Sequence, residues 1–136
     1  MPTLPWIPRE AAAPDAEVVV MASRFEVRSL RHVPGFFLAS LRLLRQARTA
    51  PGAHGFTLKA EPAKRTFWTL SAWRDDEALR AYAAAEPHRS TMRRQRAVMR
   101  DSTFVFWNVR GSELPLDWTD AQHRLTAKAQ EPAART

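Results

Sequence analysis

The chain has 136 residues, 45% of them hydrophobic and 10% aromatic, which suffices for one domain with a core of its own and excludes a disordered tail. It contains no cysteine, so a disulfide scaffold, a thiolate metal site and a cysteine nucleophile are excluded. Lys+Arg number 21 against 14 Asp+Glu, a net charge of +7 that raises an anionic partner such as nucleic acid; 18 of the 21 are Arg, however, a bias that a GC-rich coding sequence produces whatever the function.

No apolar run approaches the ~18 residues of a membrane-spanning helix. Met1-Pro2-Thr3-Leu4-Pro5 has no basic region before an apolar stretch, so no signal peptide is expected. The expectation is a cytoplasmic protein without a membrane partner. Residues 1–16 are Pro- and Ala-rich and aperiodic; they read as an extended arm that Trp6 and Ile7 could pin to the body. Residues 17–29 read as the first strand, continuously apolar from Val18 to Ala22 and then alternating, with Phe25 and Val27 on one face and Arg24, Glu26 and Arg28 on the other. His32-Val33-Pro34-Gly35 opens a helix, with the proline where a missing N–H costs least. Its apolar stripe is read as Phe37, Leu41, Leu44 and Arg48, with Arg42, Arg45 and Gln46 on the wet side, and Pro51-Gly52 stops it.

Phe56–Ala60 is a short second strand, residues 61–65 a turn, and Thr66–Trp73 a third strand, giving a hairpin. Asp75 caps a second helix with Glu77 in its first turn and Ala78, Leu79, Tyr82 and Ala83 as its buried stripe; Pro87 ends or kinks it. A further helical piece spans His88 to Met99, and Ser102–Val109 is the fourth strand. The tail holds Leu114-Pro115, Trp118 and a short helix capped by Thr119, then trails off after Lys128. The order β-α-β-β-α-β defines a ferredoxin-like α+β fold, with an arm over 1–16, the domain over 17–110 and a tail over 111–136.

The third and fourth strands are apolar on both faces: Phe67 and Trp73 against Trp68 and Leu70, and Val105 and Trp107 against Phe104 and Phe106. One face meets the helices, and the other needs a cover. The simplest cover is a second copy packed face to face, a homodimer with a barrel-like core. The rival is an RNA-binding sheet, but no strand carries the basic-Gly-aromatic signature of that module, so nucleic acid is the weaker partner. Gly-rich phosphate loops and serine elbows are absent, and no paired carboxylates fall within an expected cleft, which removes support from nucleotide and hydrolase readings.

Three stretches carry a resemblance: Phe67-Trp68-Thr69-Leu70-Ser71-Ala72-Trp73, then Asp75-Asp76-Glu77-Ala78-Leu79-Arg80-Ala81-Tyr82, then Glu86-Pro87-His88. Together they resemble the antibiotic-biosynthesis monooxygenase-like superfamily of dimeric α+β barrels. Phe37…Leu41-Arg42-Leu43, Gln46-Ala47-Arg48 and Gly55-Phe56-Thr57-Leu58 are similar to spheroidene monooxygenase-like proteins of the same superfamily. The resemblance covers roughly residues 17–110 and is more specific for fold than for activity. It implies a monooxygenase-like enzyme acting on a small apolar or aromatic, secondary-metabolite-like substrate between sheet and helices. Cofactor-free members use an Asn on the first strand, a Trp ending the third and a His on the second helix. The Trp matches Trp73, and the His matches Tyr82 or His88. The Asn has no match, since the first strand offers Ser23 and Arg24 and the only Asn is Asn108. Haem-dependent members need an axial ligand, for which His88 is the candidate; no cofactor is the first expectation and haem the second.

The candidate catalytic residues are therefore His88, as acid/base or haem ligand, and Trp73. Phe67 is read as a pocket wall with Trp73, while Thr69 and Ser71, small polar groups between these aromatics, leave room above the sheet. Tyr82 joins the substrate-binding set. Arg48 or Arg24 could anchor an anionic substrate, or instead snorkel or pair with Glu26 or Glu61. The four His lack metal-ligand spacing. The alternatives to an enzyme are a non-catalytic small-ligand or haem-binding dimer and an RNA-binding sheet surface.

Overall fold

The computed structural model describes residues 3–130. Five antiparallel strands form one sheet: β1 (Ile7–Pro8), β2 (Glu17–Val27), β3 (Ala53–Glu61), β4 (Thr66–Trp73) and β5 (Met99–Arg110), in the spatial order β1-β3-β4-β2-β5. Without the arm strand β1, this is the ferredoxin-like order expected from the sequence. Helices α1 (Val33–Ala47), α2 (Asp76–Ala84) and α3 (His88–Gln95) connect the strands, and α4 (Trp118–Ala129) follows β5.

Local chemistry sets the boundaries. Pro34 stands in the first turn of α1, where the absent N–H has no partner to lose. Gly52, at φ 83°, takes the left-handed turn into β3 that a side chain would strain. Asp75 caps α2 by accepting from the Ala78 N–H at 2.8 Å, satisfying one of the donors the first turn leaves open. The cap of α4 is Asp117, which accepts from Thr119 N–H, and not Thr119 itself. That helix runs twelve residues, longer than the short tail helix expected. The stretch after Gln130, Glu131-Pro132-Ala133-Ala134, lies outside the described residues.

Strict alternation sorts the sheet into two faces. Val18, Val20, Ala22, Trp68, Leu70 and Ala72 point to one side, where Ala121 and Leu125 of α4 pack on them. Trp6, Ala12, Leu114 and Trp118 close the same cluster. The second face is thus covered by the chain's own arm and tail, which removes the argument that an uncovered face calls for a second copy there. It also closes that face to base stacking. The arm is held by Ile7 paired with Phe56 and Pro8 with Gly55. The Trp6 indole lies so close over Gly55 that any side chain there would collide with it.

The other face carries α1, α2 and α3. The stripe by which α1 meets the sheet is Phe36, Ala39, Ser40 and Ala47, while Phe37 and Leu41 are exposed. The sequence offers apolar residues on more than one side of this helix, and the side that carries Phe36 packs it on Phe67 and Phe25 of the sheet. That selects it over the stripe read from Phe37, Leu41, Leu44 and Arg48.

Two substitutions test this packing. Leu125→Ala, which empties a fully enclosed site between α4 and the sheet, is expected to lower unfolding stability by about 2–5 kcal/mol in urea denaturation. Gly55→Ala is expected to displace the arm, seen as a shift in Trp6-sensitive fluorescence and increased amide exchange at Phe56.

Candidate functional site

Between the helical layer and the sheet lies a cavity of about 580 Å3, within the size range of small-molecule sites. Its floor is set by Ser23, Thr69 and Ser71 in mid-sheet, where larger side chains would have filled the space. Their hydroxyls are committed among themselves and to the wall. Ser23 and Thr69 hydrogen-bond each other, and Ser71 Oγ accepts from Trp73 Nε1 at 2.9 Å. The floor is therefore short and self-satisfied.

One wall is an aromatic series. The Trp73 ring lies 4.9 Å from that of Tyr82, and Tyr82 lies 4.8 Å from His88, edge to face. The Tyr82 hydroxyl donates to Leu43 O at 2.7 Å, and burial pushes its pKa well above the ordinary value. It is a neutral wall and a tie to α1, not an acid or base near neutrality. The Trp73 N–H is likewise occupied, so Trp73 offers a ligand its ring.

His88 is the group with chemistry to spare. Its Nδ1 lies 3.2 Å from Ala83 O; a carbonyl only accepts, so Nδ1 carries the hydrogen and Nε2 is left with its lone pair. Burial, partly opposed by that hydrogen bond, lowers the His88 pKa below its ordinary 6.5. The imidazole is thus neutral and basic at neutral pH. Gln46 of α1 fixes the turn that presents it: Gln46 Oε1 accepts from His88 N–H at 2.8 Å, and Gln46 Nε2 donates to Tyr82 O at 3.2 Å.

Five residues expected at the site meet there: Thr69, Ser71, Trp73, Tyr82 and His88. Three do not. Phe67 is fully buried against Phe36, with ring centroids 4.8 Å apart, and belongs to the core beside the cavity. Arg24 projects from the opposite face of the sheet and pairs with Glu26 at 3.7 Å, a carboxylate that also meets Arg65 and Arg100. Arg48 caps the C-terminus of α1, exposed, beside a separate small hollow with Arg9 and Glu10. Neither arginine can anchor a ligand in the main cavity. Met21, Leu43, Phe104 and Phe106 line it without having been singled out, although strand alternation already places Phe104 and Phe106 on one face. The helical pattern puts Gln46 on the wet side of α1, whereas its role depends on two main-chain partners 36 and 42 residues away.

Among the described residues no cluster of three His, Cys, Asp or Glu could hold a metal ion. Haem needs only one protein ligand, and His88 fits that requirement: its Nδ1–H rests on a carbonyl, as in many imidazole ligands, and Nε2 faces no protein partner. Arg80, Arg89 and Arg96 also line the cavity and are the cations available for propionates.

The fold is that of the antibiotic-biosynthesis monooxygenase-like proteins. SnoaB, a cofactor-independent oxygenase from Streptomyces nogalater, superposes with a TM-score of 0.58 at 21% identity over 74% of this chain and 100% of its own. An antibiotic biosynthesis monooxygenase gives 0.61 at 17% identity over 67% and 97% of the two chains. A candidate monooxygenase of that kind from Nitrosomonas europaea gives 0.63 at 14% over 74% and 94%. No curated protein matches the sequence. The chain belongs to the DUF3291 family, a domain of unknown function, whose family pattern matches residues 30–135.

The lowered His88 pKa fixes the sign of a pH effect. The folded state binds this proton less readily than the unfolded state. Its stabilising contribution is therefore whole above about pH 6.5 and is lost as pH falls below that value. Urea titrations across this range should show that loss, and His88→Gln should remove this component.

Proposed function

We propose that the chain is an enzyme of the cofactor-independent oxygenase kind, acting on a small apolar or aromatic molecule held between the sheet and α1–α3. The observation that supports this reading is a neutral imidazole, fixed through Nδ1, at the wall of a largely apolar cavity whose floor hydroxyls and Trp73 and Tyr82 polar groups are already bonded. A general base needs a free lone pair, a pKa near or below the working pH and a site that excludes competing water. His88 Nε2 meets the first two conditions, and the aromatic wall serves the third.

The fitting reaction begins with a methylene made acidic by flanking aryl or carbonyl groups. Nε2 takes one proton, and the carbanion passes electrons to dioxygen. The carbon ends as a carbonyl carrying one oxygen atom, while the second oxygen leaves as water with the two hydrogens. Dioxygen is thus the sole oxidant, and no external reductant is consumed. Trp73 and Tyr82 stack on the substrate plane; Ser23 is a pocket-facing polar side chain on β2, and the first-strand Asn of cofactor-free relatives has no match. The working unit is a homodimer. With the α4 side of the sheet covered, the apolar surface left for a second copy is the β5 edge, where Phe104 and Phe106 are exposed at the cavity mouth.

Oxygen uptake without NADH, measured over a panel of polycyclic aryl ketones with an activated methylene, tests the reaction. The expected result is uptake matched by carbonyl product, lowered by roughly 10²–10⁴ in His88→Ala, with an acid limb below pH 6.5. Ala83→Trp, at the exposed rim, should block ligand entry without loss of fold. Ligand binding with no oxygen consumption would leave a binding protein, and a Soret band lost in His88→Ala would favour haem. A monomer by light scattering would exclude the dimer.

A further inference from the structure

The outer side of the helical layer has a composition that the cavity does not explain. No Asp or Glu occurs between Val27 and Ala60, nor between Pro87 and Arg100. α1 comes from the first of these stretches and α3 from the second, and the two helices pack side by side.

At 100° per residue, the side of α1 opposite its buried stripe carries Leu38, Leu41 and Arg45, with Phe37 and Arg42 beside them. These apolar groups are open: Leu38 is 58% exposed, Phe37 38% and Leu41 37%, and Leu30, in the turn leading into α1, is 61% exposed. α3 adds exposed Arg93 and Arg94. Arg31, Arg42, Arg45 and Arg93 make no ion pair among the described residues.

We propose that this α1–α3 face docks on an anionic lipid bilayer. Leu30, Phe37, Leu38 and Leu41 enter the headgroup boundary while the flanking guanidiniums meet lipid phosphates and carboxylates. Leucines and a phenylalanine set among unpaired arginines, with no carboxylate between, are what an interfacial helix needs. The other occupants fit less well. A second copy would bring two positive faces together. A nucleic acid would satisfy the arginines but leave Leu38 and Leu41 against phosphate with nothing gained. No helix among the described residues is long and apolar enough to cross a membrane, and a surface-bound protein needs none; the proposal departs from the sequence-based expectation of no membrane partner. The proposal does not depend on the chemistry of the cavity.

Sedimentation of the full chain with phosphatidylcholine vesicles, with and without phosphatidylserine, tests it. Binding is expected only with phosphatidylserine and should weaken with salt. Leu38→Ser/Leu41→Ser and Arg42→Glu/Arg45→Glu should each reduce affinity at least about tenfold. Arg124→Glu, on the opposite side of the molecule, should not, and thermal melts should show all three variants folded. The proposal is overturned by equal binding to both vesicle types or by none. It is also overturned by a loss in Arg124→Glu as large as that in the α1 variants, or by binding that the leucine pair does not affect, which marks a general polyanion site. Conversion of a wild-type oligomer to monomers by Leu38→Ser/Leu41→Ser would assign the face to a second copy instead.

Discussion

Apolar side chains on both faces of one sheet impose the requirement from which the rest of this molecule follows, because neither face is stable against water. The two faces meet that requirement differently. On one, α4 lies close because Ala121 is small, and Leu125 fills the remaining space between helix and strands. The arm completes that layer, with Trp6 lying over Gly55 where any Cβ would keep it away. The tail and arm are therefore part of the folding unit rather than appendages. On the other face the helices are held off in the middle by Ser23, Thr69 and Ser71, and contact the sheet at the margins through Phe36 on Phe67 and Ala78 and Leu79 near Trp73.

That separation has an energetic consequence. At ~24 cal/mol per Å3 of void, a dry space of about 580 Å3 would cost on the order of 10 kcal/mol, comparable with the whole stability of a domain. The cavity opens past Phe104 and Phe106, so water or ligand reduces the cost. The helices still lack the continuous packing that would fix their positions, and hydrogen bonds between them do so instead. Tyr82 donates to the main chain of α1, and Gln46 grips the residues on both sides of the α2–α3 turn. The same contacts that hold the roof over the cavity orient His88 in its wall.

How much of this could be read in the sequence depends on how local each signal was. Two-residue alternation and the Asp75 cap are local, and they gave the strands, the hairpin and the ferredoxin-like order. Trp73, Thr69 and Ser71 share a face by alternation alone, so their convergence was legible. The buried side of α1 was not, because Phe36-Phe37-Leu38 and Leu43-Leu44 permit several stripes, and only the facing sheet selects among them. Arg24 and Arg48 were read from pattern as cations near the pocket. Sheet pleat sends Arg24 to the far face and into the Glu26 cluster, and the rotated helix leaves Arg48 in solvent. The need for a second cover was also read correctly, but its source, a helix beginning at Trp118, lay in a segment whose period was short and interrupted.

The opening charge regains significance through its placement. Arg80, Arg89 and Arg96 line the same cavity as His88, while Arg42 and Arg45 of α1 and Arg93 and Arg94 of α3 are exposed. Burial disfavours the protonated form of the His88 imidazole. In the proposed reaction the neutral base becomes imidazolium just as the substrate becomes an anion. Positive charge fixed around the mouth offsets part of that cost by stabilising the anion, and it is in place before the proton moves. A single bias in composition thus serves two surfaces: inward, it sets cations where a charged intermediate would form; outward, it leaves unpaired guanidiniums around exposed leucines.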